Sequence, residues 1–257
     1  MNLERGNIGS QNISVPAPEG QALSPSQREF RVRETQSVAD REIPKHLRLK
    51  IFQHFLRPYQ VAARRRRSRW FKTAMGIEPG MRIIDLGGSP MIWEFVDLPL
   101  DITLLNIKHE TEALADAERN QLHKFSFVNG DACDIDLPSN SFDIAFSNSV
   151  IEHVGDKARR SAFAKNVRRV APKYWVQTPA KFFPIEAHTG MPFWWYYPES
   201  LRQALIRKWR QDLSLWTEMV EGTTLVERSE LRDIFPDAFV APERAFGIVK
   251  SYVAFRS

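Results

Sequence analysis

From Met81 onward the chain alternates short apolar runs with longer polar stretches, and this alternation predicts most of its architecture. Arg82–Leu86, Ile102–Ile107, Lys124–Val128, Phe142–Ser147 and Tyr174–Gln177 each read as a short strand bounded by turn-forming residues. Four of the gaps between them, or their edges, have room for a helix, which predicts a doubly wound, mostly parallel α/β sheet. Lys157–Val170 is the clearest helix, with Ala162, Phe163, Val167 and Val170 on one side and arginines elsewhere. After the first strand, Ser89 suits an N-cap and Pro90 the first helical position. Pro198–Val220 repeats helical spacing through Leu201, Leu205, Ile206, Trp209, Leu213 and Trp216. A turn at 245–247 then leads into Ile248–Phe255, which suits one or two closing strands.

The part before Met81 has a different texture. Residues 1–40 are rich in Ser, Gln, Glu, Asn and Pro, without a sustained apolar period, and predict a flexible arm. Beyond Pro44, Leu49, Ile51, Phe52, Phe55 and Leu56 predict an amphipathic helix stopping near Pro58. A second helix is expected from Tyr59 through the arginine run to Trp70 and Phe71, broken by Gly76 and Glu78-Pro79-Gly80. The expected organisation is one domain over 41–257, with cap helices at 41–76 and a substrate-side insertion at 180–220.

Composition narrows the class without changing this outline. With 257 residues, 43% of them hydrophobic and 26% charged, the chain suits one α/β domain with appendages. The opening thirty residues contain no apolar signal-peptide core, and no run of roughly 18 apolar residues occurs. Cys133 is the single cysteine, so neither an internal disulfide nor a multi-cysteine zinc site is expected. These features predict a reduced, cytoplasmic protein. The net charge of +5 is concentrated in Arg64–Arg67 with Arg69, and in Arg159, Arg160, Arg168 and Arg169. Such clusters suit phosphates or acidic headgroups, but a solvated helix face is the more ordinary reading.

Candidate chemistry gathers at the predicted carboxyl ends of the strands. Asp85 ends the first strand before Gly87, Gly88 and Ser89, a turn where backbone can approach a ligand closely. The G-x-G-x-x-G spacing of dinucleotide sites is absent, as is the Walker pattern ending in Gly-Lys-Ser/Thr. Asn106 stands where an acid usually grips a ribose. Asp131 and Ala132 follow the third strand, and Ser147, Asn148 and Ser149 the fourth.

Together these segments resemble class I S-adenosylmethionine-dependent methyltransferases of the ubiquinone-biosynthesis type. The resemblance covers roughly residues 75–180. It rests on Asp85, Gly87 and Gly88, on Asp131 and Ala132, and most specifically on Leu137-Pro138, Ser141-Phe142-Asp143 and Val150-Ile151-Glu152-His153-Val154. Two departures are Ser89 in place of the second loop glycine and Asn106 in place of the acid. The resemblance implies a seven-stranded Rossmann-like sheet with N-terminal helices and S-adenosylmethionine as cofactor. It implies a cofactor site of Asp85, Gly87, Gly88, Ser89, Asn106, Asp131, Ala132, Ser147 and Asn148.

The reaction so implied is methyl transfer to an oxygen or nitrogen, for which His153, Glu186 and His188 are candidate bases. Glu186 and His188 alone do not make a metal site, since no third ligand is evident, and no metal is expected. The aromatic run Phe193-Trp194-Trp195-Tyr196-Tyr197, with Phe182 and Phe183, suits an acceptor wall, a cap on the sheet's edge, or contact with a membrane interface. The expected acceptor is a small molecule, a glycan or a lipid-linked group. A nucleic-acid methyltransferase is the second reading, although Ser147-Asn148-Ser149-Val150 stands where an Asn-Pro-Pro-Tyr-type motif would be. The third reading is a non-catalytic protein that kept the fold.

Overall fold

The computed structural model describes the backbone of residues 47–109, 111–186, 189–212 and 214–257. The expected arm at 1–40 and His188 lie outside these. The strands are β1 (Arg82–Leu86), β2 (Asp101–Asn106), β3 (Lys124–Asn129), β4 (Ile144–Asn148), β5 (Lys173–Pro179), β6 (Phe239–Ala245) and β7 (Ile248–Arg256). The helices are α1 (Leu47–Met75), α2 (Thr111–Arg119), α3 (Lys157–Val170), α4 (Glu199–Asp212), α5 (Ser214–Gly222) and α6 (Arg228–Ile234). A 3₁₀ turn, Pro90–Phe95, follows β1 and another, Ile151–His153, follows β4.

The seven strands form one sheet in the order β3-β2-β1-β4-β5-β7-β6. The pairings from β3 to β5 are parallel, while β7 runs antiparallel to both β5 and β6. The chain winds outward from β1 to β3, then returns to place β4 on the other side of β1. That reversal opens a crevice at the carboxyl ends of β1 and β4, the usual ligand position in an open α/β sheet.

Both faces of the sheet are covered, and the pleat assigns its side chains alternately. Ile84, Leu86, Ala145, Tyr174 and Val176 share one core with Phe163, Val167 and Val170 of α3 and Leu231 of α6. Ile83, Ile144, Phe146 and Trp175 share the other with Phe71 and Met75 of α1 and Trp93. Trp194, Ile206 and Val220 make a small third cluster beside α4 and α5.

Some boundaries differ from the sequence reading. In place of two N-terminal helices there is one, running through Pro58. Proline removes one backbone hydrogen bond, but the helix resumes because Phe71 and Met75 farther along bury fully against the sheet. The stretch expected as one helix over 198–220 is divided into α4 and α5. Of the one or two closing strands expected, the structure has two, and β6 lies before the 245–247 turn as a sheet-edge strand containing Pro242, compatible with an edge position. No helix among the described residues is long and apolar enough to cross a membrane.

Candidate functional site

The turn after β1 is built around a buried carboxylate. Asp85 falls on the face of β1 that meets α1 and Trp93, where apolar packing alone would leave its charge unanswered. Its Oδ2 accepts a hydrogen bond from Trp93 Nε1 at 2.9 Å, and Asp85 is 0% exposed. Asp85 therefore shapes the turn from within. Gly88 makes this arrangement possible, since a β-carbon there would lie 1.7 Å from Asp85 Oδ2. Gly87 has φ +76° and donates its N–H to the Leu105 carbonyl at 2.8 Å, prolonging the β1–β2 ladder beyond the strand. Ser89 is exposed and extended, and its side chain makes no capping bond, although Pro90 does occupy the first helical turn.

Asn106 connects three strand ends. Its Nδ2 donates to the Gly88 carbonyl at 3.0 Å and lies 3.3 Å from His109 Nδ1, while its own carbonyl accepts from Gly130 N at 2.8 Å. His109 Nε2 is 3.0 Å from the Val128 carbonyl, and burial holds the imidazole's pKa below its ordinary value. A neutral ring with its proton on Nε2 satisfies both contacts. The two amide protons of Asn106 then point into the protein, and its Oδ1 is the atom suited to accept from a ribose hydroxyl.

The turns after β3 and β4 complete the edge. Asp131 Oδ1 accepts from Cys133 N at 2.8 Å, and Oδ2 accepts from Arg159 of α3 at 2.7 Å. Ala132 places its side chain in the core beneath, leaving only its backbone at the turn. Ser147 is buried and its Oγ donates to the Leu86 carbonyl at 3.1 Å, tying β4 to β1 across the crevice. Asn148 Oδ1 accepts from Arg67 Nη1 at 2.7 Å, which brings α1 directly onto the carboxyl edge. Arg67 is held there by Glu243 of β6, through contacts of 3.0 and 2.6 Å.

The candidate bases separate in the structure. His153 is 4% exposed in the 3₁₀ turn after β4. Its Nδ1 is 3.3 Å from Thr223 Oγ1, and its Nε2 is 4.0 Å from Glu152 Oε1. Glu152 is anchored by Thr178 Oγ1 at 3.0 Å, and its carbonyl accepts from Thr224 N at 2.7 Å. Thr223 also lines a cleft of about 200 Å³ with Trp194, Trp195, Glu199, Arg202 and Glu221. Glu186 serves its own loop, accepting from Thr189 N at 2.6 Å. The aromatic run is split: Trp194 is buried and stacks on Trp209, whereas Phe193 and Tyr196 are exposed.

The second arginine group is engaged internally. Arg159 meets Asp131, Arg160 meets Glu230, Arg168 meets Asp237, and Arg169 donates to the carbonyls of Ile135 and Leu137. Trp93, Arg67, His109, Glu152 and Thr223 were not singled out from the sequence as site residues. Glu152 carried a signal there within the Val150–Val154 motif and Arg67 within the arginine cluster, whereas Trp93, His109 and Thr223 carried none.

Residues 87–173 match the family model described as a methyltransferase domain. A stretch of 105 residues, 38% of this chain, is 36% identical to sterol 24-C-methyltransferase of Aspergillus fumigatus, and spans 27% of that protein. Among solved structures, a Rhodobacter sphaeroides protein described as a Zn-dependent alcohol dehydrogenase aligns with TM-score 0.53 and 13% identity, covering 74% of this chain and 87% of that one. At that identity the likeness shows the fold alone. Among the described residues no group of three or more His, Cys, Asp or Glu stands together to hold a metal ion. An Aquifex aeolicus SAM-dependent methyltransferase aligns with TM-score 0.46 and 16% identity, covering 73% of this chain and 87% of that one. With its strand order and its glycine turn, the match makes residues 87–173 similar to a methyltransferase domain.

Proposed function

We propose that this protein transfers the methyl group of S-adenosylmethionine to an oxygen or nitrogen of a small-molecule, glycan or lipid-linked acceptor. The observation that carries the reading is Asn106, which joins the turns after β1, β2 and β3 at the carboxyl edge of the sheet. The Gly87-Gly88 turn suits a bound nucleoside cofactor, since Gly87 lies at positive φ and a glycine backbone can approach a ligand closely. S-adenosylmethionine supplies a methyl group already activated on a sulfonium, so the protein's task is mainly to position the partners. Gly87, Gly88 and Ser89 would hold the amino-acid part, Asn106 the ribose, and the Asp131 turn the adenine. Ser147 and Asn148 border the crevice on the β4 side.

His153 is the base we propose for the acceptor's proton. Thr223 connects it to the cleft beside Trp194 and Trp195, and the Glu152 carboxylate lies 4.0 Å from the other ring nitrogen. The arginines of α3, already engaged within the protein, lend little to a nucleic-acid reading. We place the protein in the cytoplasm, since a single cysteine suits a reducing compartment.

Isothermal titration with S-adenosylmethionine and S-adenosylhomocysteine tests the proposal. Saturable one-site binding of both is expected, followed by methyl transfer to a member of an acceptor panel. A folded protein that binds neither ligand overturns the reading.

A further inference from the structure

The tip of the β6–β7 hairpin combines an unfavourable conformation with an exposed aromatic ring. Arg244 pairs with Val249 and Ala245 with Ile248, leaving Phe246-Gly247 as a two-residue turn. Both residues have positive φ, +51° and +78°. That pattern favours Asn-Gly and disfavours a bulky L side chain. Phe246 is nonetheless 85% exposed, its ring stacked at 5.5 Å on Tyr59 and inserted into no core. Strain at a position that adds so little packing points to a role outside the fold.

The surroundings of this tip are strongly basic. Helix α1 brings exposed Arg64 and Arg66 to this face, and the Arg66 guanidinium donates to the Arg244 carbonyl. Lys250 Nζ sits 5.4 Å over the Tyr59 ring. Glu243 is the carboxylate set among these groups, and Arg67 already grips it. With Arg67 and Arg244, five cations among the described residues stand on this face against the one carboxylate of Glu243. The crowding is felt at Lys250, whose pKa is pushed down to about 8 by burial and then by Arg67, Arg66 and Arg64, with Glu243 opposing. Two further apolar side chains are exposed on the elements flanking the arginines: Ile248 beside the turn, and Met91, which Arg64 Nη1 reaches at 3.7 Å.

We infer that the β6–β7 tip and the arginine face of α1 form a peripheral docking surface for an anionic lipid bilayer, with Phe246 entering the interface. Exposed apolar tips ringed by cations suit the boundary between headgroups and acyl chains. RNA would satisfy the arginines but gives a stranded Phe at a hairpin tip less to bury in. A second copy meeting this face symmetrically would bring the same charge against itself. In its consequence the inference rests on the methyltransferase reading: Arg67, which also bonds Asn148, sets this face beside the carboxyl edge where the cofactor would lie.

Co-sedimentation of the full chain with vesicles tests it, comparing phosphatidylcholine alone with phosphatidylcholine mixed with phosphatidylglycerol. Binding is expected only to the mixed vesicles and is lost at high salt. Phe246→Asn keeps a favourable left-handed turn and should lower binding about tenfold. Arg66→Gln and Arg244→Gln should each lower it about fivefold. Titration of the same preparations with S-adenosylmethionine should give one affinity for wild type and Phe246→Asn. Vesicle binding without cofactor binding leaves the docking surface in place and removes the functional reading. Cofactor binding without a preference for anionic vesicles overturns the docking surface. So does undiminished binding by Phe246→Asn, or displacement of the vesicles by an RNA oligonucleotide whose own binding Phe246→Asn leaves unchanged.

Discussion

Gly88 lies so close to the Asp85 carboxylate that a β-carbon on it would stand 1.7 Å from Oδ2, the oxygen that also accepts the Trp93 indole proton. Gly88→Ala must therefore displace the turn or break the Asp85–Trp93 bond. We expect it to cost about 1–3 kcal/mol in urea unfolding, typical of a forced fit. Asp85→Ala should weaken S-adenosylmethionine at least tenfold by titration, because the turn loses its internal anchor. Unchanged affinity in the Asp85 variant would remove the proposed site.

Asn106 gives a prediction that runs against sequence resemblance. The related pattern has an acid at this position, so Asn106→Asp looks like a restoration. Here, however, Nδ2 is the donor to the Gly88 carbonyl at 3.0 Å, and an ionised carboxylate has no proton to give. Asn106→Asp should weaken the cofactor, and Asn106→Ala should weaken it less than Asp85→Ala does. Tighter binding by Asn106→Asp in the same titration would show that the ribose contact outweighs the Gly88 contact.

His153 is buried but connected to the cleft through Thr223, at 3.3 Å. His153→Gln should lower turnover at least tenfold, with cofactor affinity changed little, and flatten the acid limb of the pH–rate profile. Thr223→Val should lower turnover less. Equal losses in turnover and cofactor affinity would instead give His153 a purely structural part.

Lys250 predicts a stability that depends on pH. Its pKa in the folded protein is about 8, below the ordinary 10.5 that it regains on unfolding. Below about pH 8 both states carry the proton, and the folded state bears the full burden of burying a charge among arginines. Between about 8 and 10.5 the unfolded state holds more protons, so this group makes the fold more stable as pH rises. Lys250→Met should raise the melting temperature at pH 7 and narrow the difference between pH 7 and pH 9.5. No change at pH 7 would mean that Lys250 lies in water.

The places of β1 to β5 along the chain were legible because parallel strands buried on both faces must be short apolar runs, and helix α3 because its apolar residues recur at helical spacing. Glycine and carboxylate positions were legible too, since few other residues allow a sharp turn at a strand end. The roles of those residues were not. Asp85 reads in sequence as a group facing a ligand, yet it is sealed beneath the turn by a tryptophan eight residues away. Ala132 reads as part of the adenine turn, yet its side chain is core.

Sequence alone determined the α/β class, the winding and the carboxyl edge where chemistry gathers, because periodicity and turn chemistry are local properties of the chain. Tertiary structure decided what each polar group on that edge does. Arg67 and Glu243 are separated by 176 positions and meet at 2.6 Å beside Asn148. Pro58 stops no helix, and the arginines of α3 bind their own protein rather than a partner. A buried charge or donor takes whichever partner the folded backbone brings within hydrogen-bonding reach, and that distance is written in no single segment.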